Sequence, residues 1–243
     1  MTTKNKMTFL EHLEELRFLL FKSLGIIVFF FAISVPFAPK ITQLFKSKLP
    51  DTLGNTDSLL QILQVSEGFT LTLRIAFATA IILATPFLLI LTKKFIQPAL
   101  TETEQKYSNL FIAAASCLFV VGCLIGYYIT LPMAISLMYK SCYWIGGEPK
   151  WTMSNYIMFC LQIIVAFGIA FLMPIVMFIL VKLGIVKVSF LRSNRRYAII
   201  IILIVSMLLT PSDLPTMLIM AIPLYVLYEI TILISSISNE SVL

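Results

Sequence analysis

The feature that most restricts how this chain can fold is a series of long, almost uninterrupted apolar blocks. Hydrophobic residues make up 59% of its 243 residues and charged residues only 12%, against about 25% charged residues in a typical soluble protein. The apolar residues run in continuous stretches and do not alternate or form a single helical stripe, which is typical of helices surrounded by lipid. The sequence therefore predicts an all-α integral membrane protein.

Six blocks approach the roughly 20 apolar residues that a helix needs to cross a hydrocarbon core of about 30 Å. We predict six transmembrane helices in a single polytopic membrane domain, 1–243, and a first helix that is retained, since no small-residue cleavage site closes its apolar run. The fifth block has 14 residues, a helix of only about 21 Å, and a tight loop at 211–214 joins it to the sixth. We therefore expect a short fifth and sixth span. The predicted spans are 18–38, 70–91, 108–131, 155–181, 197–210 and 215–235.

The distribution of lysine and arginine predicts the orientation of these spans. With a cytoplasmic N-terminus, 12 of the 18 basic residues lie on the cytoplasmic side and six on the other. Basic residues concentrate on the cytoplasmic side of membrane proteins, so we predict that both termini are inside. The net charge of +6 then reflects the placement of loops in a lipid bilayer and does not indicate nucleic-acid binding.

The residues that would support metal, redox or catalytic chemistry are sparse. The cysteines Cys117, Cys123, Cys142 and Cys160 form no Cys-x-x-Cys pair, and His12 is the single histidine. The chain also lacks the His-Glu-x-x-His, Gly-x-Ser-x-Gly and Gly-x-x-x-x-Gly-Lys motifs. We predict no metal site, no cofactor and no catalytic residues, and thus a protein that is not an enzyme.

The stretch FLEHLEELRFLLF places three glutamates directly before the first span, where basic residues are usual. Glu11 fits a Thr-x-x-Glu capping box that opens a helix at Phe9, and Glu14 can pair with Arg17 three positions later. Glu15 gains little from its helical neighbours. It is therefore either a solvated surface carboxylate or a binding site for a cationic partner.

A second acidic stretch, FIQPALTETEQK, lies on the same predicted face. Pro98 stops the second helix from running on. Glu104 fits a capping box with Thr101, and Glu102 can pair with Lys106. Carboxylates at this boundary could each hold a guanidinium in a bidentate, charge-assisted pair, but capping explains Glu104 equally well. Spacing alone does not name the partner.

Taken in order, these segments resemble the TatC family, the TatC subunit of the twin-arginine protein translocase. The resemblance runs from about Phe9 to Ile234 and includes FLEHLEELR, FIQPALTETE, SEGF before the second span, MLLTPSD and AIPLYVLYE. It implies a receptor and core scaffold that binds twin-arginine signal peptides of folded proteins. It also implies self-association and recruitment of TatA/TatB-type single-span subunits for export driven by the proton-motive force.

The resemblance also assigns residues to two faces. On the cytoplasmic face it implies a signal-peptide site made of Glu15, Arg17, Phe95, Pro98, Leu100 and Glu104. On the outer face and toward partners it implies roles for Glu67, Phe69, Pro86, Thr210, Pro211 and Asp213. For Asp213, the composition Pro-Ser-Asp is also ordinary turn chemistry, and both roles can hold at once.

Two positions depart from the family pattern. Leu172 stands where the family often has a glutamate or glutamine inside the fourth span, and Met217 replaces a frequent glutamine early in the sixth. Gln162 lies ten residues before Leu172, too far along the helix to take its place. The contact with a partner helix is therefore expected to differ from the family pattern.

The competing interpretation is a small secondary transporter for a cationic solute that uses the same acidic residues. It predicts ionisable residues near the middle of several spans, whereas Lys22, Arg74 and Glu229 lie near span ends. The receptor interpretation is therefore favoured. The membrane is expected to be a bacterial inner membrane, with a plastid thylakoid membrane as the alternative.

Overall fold

The structure is a computed structural model, and it describes residues 9–49, 60–96, 102–147, 150–182, 186–209 and 214–240. These residues are almost entirely helical. The elements are α1 (Phe9–Ser34), a 3₁₀ turn (Val35–Phe37), α2 (Ala38–Lys46), β1 (Leu60–Gln61), α3 (Glu67–Ile96), α4 (Glu102–Ile125), a π-helical turn (Gly126–Thr130), α5 (Leu131–Trp144), β2 (Trp151–Thr152), α6 (Met153–Lys182), α7 (Val188–Ser193), α8 (Arg195–Leu209) and α9 (Leu214–Glu240).

Five helical stretches of the described residues are long and apolar enough to cross a membrane: 13–46, 67–93, 109–144, 153–181 and 217–236. This confirms a helical membrane protein with several spans. The predicted fifth span is α8, which has 15 residues and a length of about 22 Å, so its shortness is confirmed.

The predicted sixth span, 215–235, agrees with the apolar stretch 217–236, which has 20 residues and is the shortest of the five candidate spans, although the helix that contains it is longer. Helix α9 has 27 residues, or about 40 Å. The helix continues through the polar residues Ser-Ile-Ser-Asn-Glu, because backbone hydrogen bonding extends beyond the point where hydropathy falls. Pro223 lies inside α9 without ending it.

The boundaries of two other spans also differ from the predicted ones. Helix α1 begins at Phe9, where the capping pattern placed a helix start, nine residues before the predicted apolar span. The third span does not end near 131, because a π-helical turn leads into α5, which reaches Trp144. Pro132 directly follows this π-helical turn, inside a helical stretch that is continuous from 109 to 144.

A short pair of strands corrects the purely helical prediction. Strands β1 and β2 pair in parallel, with Leu60 opposite Trp151 and Gln61 opposite Thr152. We use "distal face" for the end of the molecule that carries α2, β1, β2 and the starts of α3 and α6. The opposite end, with the start of α1 and the end of α3, is called the N-terminal face.

Close contact between α4 and α6 is made possible by glycines. A Cβ atom on Gly122 would lie 2.6 Å from the Phe167 carbonyl oxygen, and one on Gly168 would lie 2.7 Å from the Cys123 sulfur. Gly126, four residues after Gly122, also faces α6. Small residues let helix backbones approach closely where lipid provides no hydrophobic drive for helices to associate. Helix α6 is central and packs against α3, α4 and α9.

Two tyrosine hydroxyls fasten α2 to the distal ends of the long helices. The Tyr156 hydroxyl donates a buried hydrogen bond of 2.8 Å to the Phe45 carbonyl, and the Tyr127 hydroxyl donates one of 3.2 Å to the Leu44 carbonyl. Both acceptors lie in the last turn of α2, where carbonyls have no partner within the helix. The Lys48 ammonium lies 4.5 Å from the centre of the Tyr127 ring. These bonds hold α2 as a cap over the distal face.

Candidate functional site

The N-terminal face brings the first residues of α1 to the connection between α3 and α4. Helices α1 and α3 run antiparallel, with the Phe30 and Phe87 rings 5.2 Å apart, and Lys22 and Leu91 line one cavity between them. Glu15 lies seven residues before Lys22 on α1, about 10 Å along the helix, and Ile96, the last residue of α3, lies five residues beyond Leu91, about 8 Å. Glu15 therefore lies near the level of the end of α3.

Glu15 has a carboxylate oxygen that is shielded from solvent. Its side chain is half-buried, and its Oε2 atom is fully buried with no hydrogen-bond partner among the residues that the structure describes. A buried charged acceptor without a donor is costly, because the desolvation of the oxygen is not compensated. This oxygen is suited to accept a charge-assisted hydrogen bond from a donor outside the described chain.

The nearest cations along α1 lie over aromatic rings. The Arg17 guanidinium is 5.7 Å from the centre of the Phe21 ring, and the Lys22 ammonium is 4.6 Å from that of Phe18. Cation–π contacts of this kind keep a charge at an apolar surface at modest energy. Arg17 therefore belongs to the same end of α1 as Glu15, with its side chain exposed on an aromatic ring.

The structure describes only some of the remaining residues predicted for the signal-peptide site. Phe95 is half-buried in the last turn of α3, and Glu104 lies in the first turn of α4. Pro98 and Leu100 lie outside the described residues. Helix α3 is described as far as Ile96, two residues before Pro98. A hydrogen bond from the Lys93 ammonium to the Asn109 side-chain oxygen joins α3 to α4.

On the distal face, the Glu67 side chain is buried and hydrogen-bonded. It is 7% exposed, and its carboxylate accepts hydrogen bonds from the backbone N–H groups of Leu63, Gln64 and Ser154 at 2.8, 3.3 and 3.0 Å. The Arg74 guanidinium donates a bond of 3.5 Å to the Ser154 hydroxyl. Glu67 therefore ties the start of α3 to the start of α6.

The other residues predicted for the outer face and partners are scattered. Phe69 is 71% exposed, and Pro86 lies inside α3 without ending it. Thr210, Pro211 and Asp213 lie outside the described residues, between the end of α8 at Leu209 and the start of α9 at Leu214.

The two positions that depart from the family pattern have apolar surroundings. Leu172 packs against the hydrophobic core that centres on α6. Met217 is half-buried near the start of α9. Neither side chain can donate or accept a hydrogen bond of ordinary strength to a partner helix.

A polar cluster on the N-terminal face was not predicted from the sequence. The Arg195 guanidinium pairs with the Glu229 carboxylate at 2.9 Å, and the Tyr225 hydroxyl donates a bond of 3.0 Å to the same carboxylate. Tyr225 and Glu229 are four residues apart on α9, a spacing that predicts contact. The pairing of Arg195, on α8, with Glu229 depends on how the two helices pack, because these residues lie 34 positions apart in the chain.

The described part of the chain offers no cluster that resembles a metal centre. No group of three or more His, Cys, Asp or Glu side chains in those residues could hold a metal ion. The prediction of no metal and no cofactor stays a prediction for the whole chain.

Residues 11–223 match the family model described as Sec-independent protein translocase protein (TatC). The chain belongs to the TatC family. It is therefore a component of a Sec-independent protein translocase, a transport protein that spans the membrane several times.

Curated relatives agree with this assignment. The TatC protein of Aquifex aeolicus is 32% identical over 95% of each chain, and TatCy of Bacillus subtilis is 32% identical over 95% of this chain and 89% of its own. A relative from Akkermansia muciniphila is 35% identical over 73% of this chain. The match to that relative spans about half, 51%, of its length.

Two solved structures have the same fold. One, a crystal structure of the twin-arginine translocase receptor TatC, superposes with a TM-score of 0.85 at 32% identity and covers 94% of this chain and all of its own. The other, of the same receptor in the detergent DDM, gives 0.84 at 33% identity and covers 93% of this chain and 99% of its own.

Proposed function

We propose that this TatC-family chain is the receptor and core scaffold of a twin-arginine translocase, with its signal-peptide site on the N-terminal face. The observation that carries the proposal is the Oε2 atom of Glu15, which is buried and has no hydrogen-bond partner among the described residues, near the level of the end of α3. Glu67 is a comparable acid on the distal face, but its carboxylate already accepts hydrogen bonds from three backbone N–H groups. The Oε2 atom of Glu15 can therefore accept a hydrogen bond from an arginine of the signal peptide.

The proposed site pairs each guanidinium of the signal peptide with one carboxylate. Glu15 takes one arginine, and Glu104, on the first turn of α4, takes the other. Arginine fits because its planar fork donates two parallel hydrogen bonds to a carboxylate, whereas lysine offers a point charge. Phe95, Pro98 and Leu100 shape the connection between the helices, and Arg17 forms the rim on α1.

The proposed topology places the N-terminal face in the cytoplasm. Both termini are then inside, α8 is the fifth and shortest of six spans, and the whole chain is one polytopic domain. The positive-inside distribution of lysine and arginine supports this orientation. The bacterial sources of the curated relatives support a bacterial inner membrane.

The proposed scaffold role places TatA/TatB-type single-span partners beside α8 and α9 and folded cargo at the cytoplasmic side. Helix α8 is too short to match a bilayer of ordinary thickness, a mismatch that favours association with neighbouring helices. Thr210, Pro211 and Asp213 between these helices, with Glu67, Phe69 and Pro86 on α3, serve the outer face and partner contacts. The proton-motive force drives export through the assembled complex.

The test is binding of a twin-arginine signal peptide to the purified full chain. The Glu15→Gln and Glu104→Gln variants are compared with Glu14→Gln, which removes the same charge from an exposed neighbour. A lost hydrogen bond to a charged group is worth roughly 1.5–3 kcal/mol, so binding should weaken about ten- to one-hundred-fold. The matched control should bind as the wild type does, and a twin-lysine peptide should bind as weakly as the variants.

Equal binding by Glu15→Gln and Glu14→Gln would overturn the proposed site. Equal weakening of all three variants would indicate general attraction between the acidic surface and a basic peptide. The receptor function is supported if Glu15→Gln and Glu104→Gln weaken binding of the twin-arginine peptide and Glu14→Gln does not.

A further inference from the structure

Two cavities follow one another along a single face of α6. The first, of about 550 Å³, lies at the distal end and is lined by Lys150, Thr152, Asn155 and Gln162 together with apolar side chains of α5 and α6. The second, of about 350 Å³, lies between α6, α8 and α9. Its lining is almost wholly apolar.

The lining residues of α6 belong to one stripe of the helix. Asn155, Gln162, Ala166, Ala170 and Met173 follow at intervals of seven, four, four and three residues, which keeps them on one side of a helix with 3.6 residues per turn. Helix α8 lies across from this stripe, with Leu208 at the first cavity and its more N-terminal residues at the second. The stripe is open because α8 packs mainly on α9.

The polarity of the stripe changes from one end to the other. Lys150 is exposed at the distal end, and no carboxylate lines the first cavity among the described residues. Gln162 is exposed although it lies nine residues into α6, about 14 Å from the helix start. A side-chain amide at that depth needs a hydrogen-bonding partner, because hydrocarbon offers none. Beyond Gln162, the lining is apolar.

We infer that this stripe binds one phospholipid from the leaflet on the distal side, with its phosphate at Lys150. The Asn155 amide donates a hydrogen bond to the phosphate, and the Gln162 amide, about 10 Å deeper along α6, donates one to a glycerol ester carbonyl. An acyl chain runs along Ala166 and Ala170 into the apolar cavity. Along the stripe, a cation is followed by hydrogen-bond donors and then by an apolar channel. A phospholipid has its groups in the matching order: phosphate, glycerol esters and acyl chains.

The length of the stripe agrees with a single leaflet. Fifteen residues separate Asn155 from Ala170, a distance of about 22 Å along the helix. Half of a bilayer, with its head groups, measures roughly 20–22 Å. The proposed lipid therefore ends near the middle of the membrane, inside the second cavity.

The experiment measures lipid retention by native mass spectrometry of the purified full chain, with phosphatidylglycerol as the probe and phosphatidylcholine as the neutral comparison. The Lys150→Gln variant is set against Lys140→Gln, which loses the same charge from an exposed position of α5 outside both cavities. One basic residue near anionic lipid changes affinity about fivefold. We expect that loss for Lys150→Gln and wild-type retention for Lys140→Gln.

A second arm locates the acyl chain. Phosphatidylglycerol with a photoreactive group near the end of one chain should label α6 around Met173 in the wild type. Ala170→Phe, which fills the apolar cavity, should abolish that label, while Val176→Phe, an exposed position outside the cavity, should keep it. Labelling confined to other helices, or equal retention in the two lysine variants, would overturn the assignment. The lysine arm involves only exposed side chains and does not depend on whether Ala170→Phe folds.

Discussion

The Oε1 atom of Glu67 accepts a hydrogen bond of 3.0 Å from the backbone N–H of Ser154, 87 residues further along the chain. Glu67 is the first residue of α3, and Ser154 lies in the first turn of α6, where backbone N–H groups have no partner within the helix. The positive ends of both helix dipoles also favour a carboxylate at this point. One side chain therefore stabilises two helix starts and fixes their relative position.

Replacing Glu67 should destabilise the protein strongly. Glu67→Ala leaves three backbone N–H groups without their acceptor, and one unsatisfied buried group alone costs about 1–3 kcal/mol. The expected result is a lower unfolding temperature in detergent for Glu67→Ala, a smaller loss for Glu67→Gln, which keeps one acceptor oxygen, and little change for the exposed Glu14→Gln. Equal stability of Glu67→Ala and wild type would contradict the capping role.

The hydrogen bonds from tyrosine hydroxyls to the last turn of α2 give a second prediction. Tyr156→Phe removes one of two donors to the buried Phe45 carbonyl, which keeps its bond from the Lys48 backbone N–H, so it should cost about 0.5–1.5 kcal/mol and loosen the last turn of α2. Hydrogen exchange of backbone amides in 38–46 should accelerate. The control is Tyr128→Phe, because its ring keeps the contact with Lys48. Unchanged exchange in Tyr156→Phe would show that α2 is held by apolar packing alone.

The contact between α4 and α6 makes glycine substitutions informative. Gly122→Ala places a Cβ atom 2.6 Å from a backbone oxygen of α6, so the helices must separate, at a cost of about 1–3 kcal/mol. Gly25→Ala meets no atom within 4 Å and should raise stability by up to about 1 kcal/mol through helix propensity. Thermal unfolding of the two variants should therefore shift in opposite directions. A shift in the same direction would refute close backbone contact at Gly122.

The ion pair between Arg195 and Glu229 should contribute little. The two side chains are 48% and 27% exposed, and exposed pairs are typically worth 0–1 kcal/mol. Arg195→Gln should lower the free energy of unfolding by less than about 1 kcal/mol, and the loss should shrink in 1 M salt, where charges are screened. Arg196→Gln is the matched control, as an exposed neighbour with the same charge. A large loss that salt does not change would contradict this prediction.

Local signals in the sequence predicted a helix start at Phe9 and a helix stop before Pro98. Helices α1 and α3 are described from Phe9 and as far as Ile96, and the residues that carry these two signals lie outside the described residues. Hydropathy failed at α5, since it reports where the chain meets lipid and not where backbone hydrogen bonding ends. The sequence GCLIG, with glycines at Gly122 and Gly126, is a small-residue motif for helix contact and could have predicted the contact of α4 with α6.

The sequence by itself determined that the chain spans a membrane as helices, and its motifs predicted the family and the acidic residues near one face. Those conclusions depend on composition and on short-range order. Only the tertiary structure decided that the Glu67 carboxylate is hydrogen-bonded while one oxygen of Glu15 has no partner among the described residues, and that Gln162 faces a cavity. Helix packing decides which side chains lose water and which donors come within reach. These relations join residues that are far apart in the chain, and no local pattern encodes them.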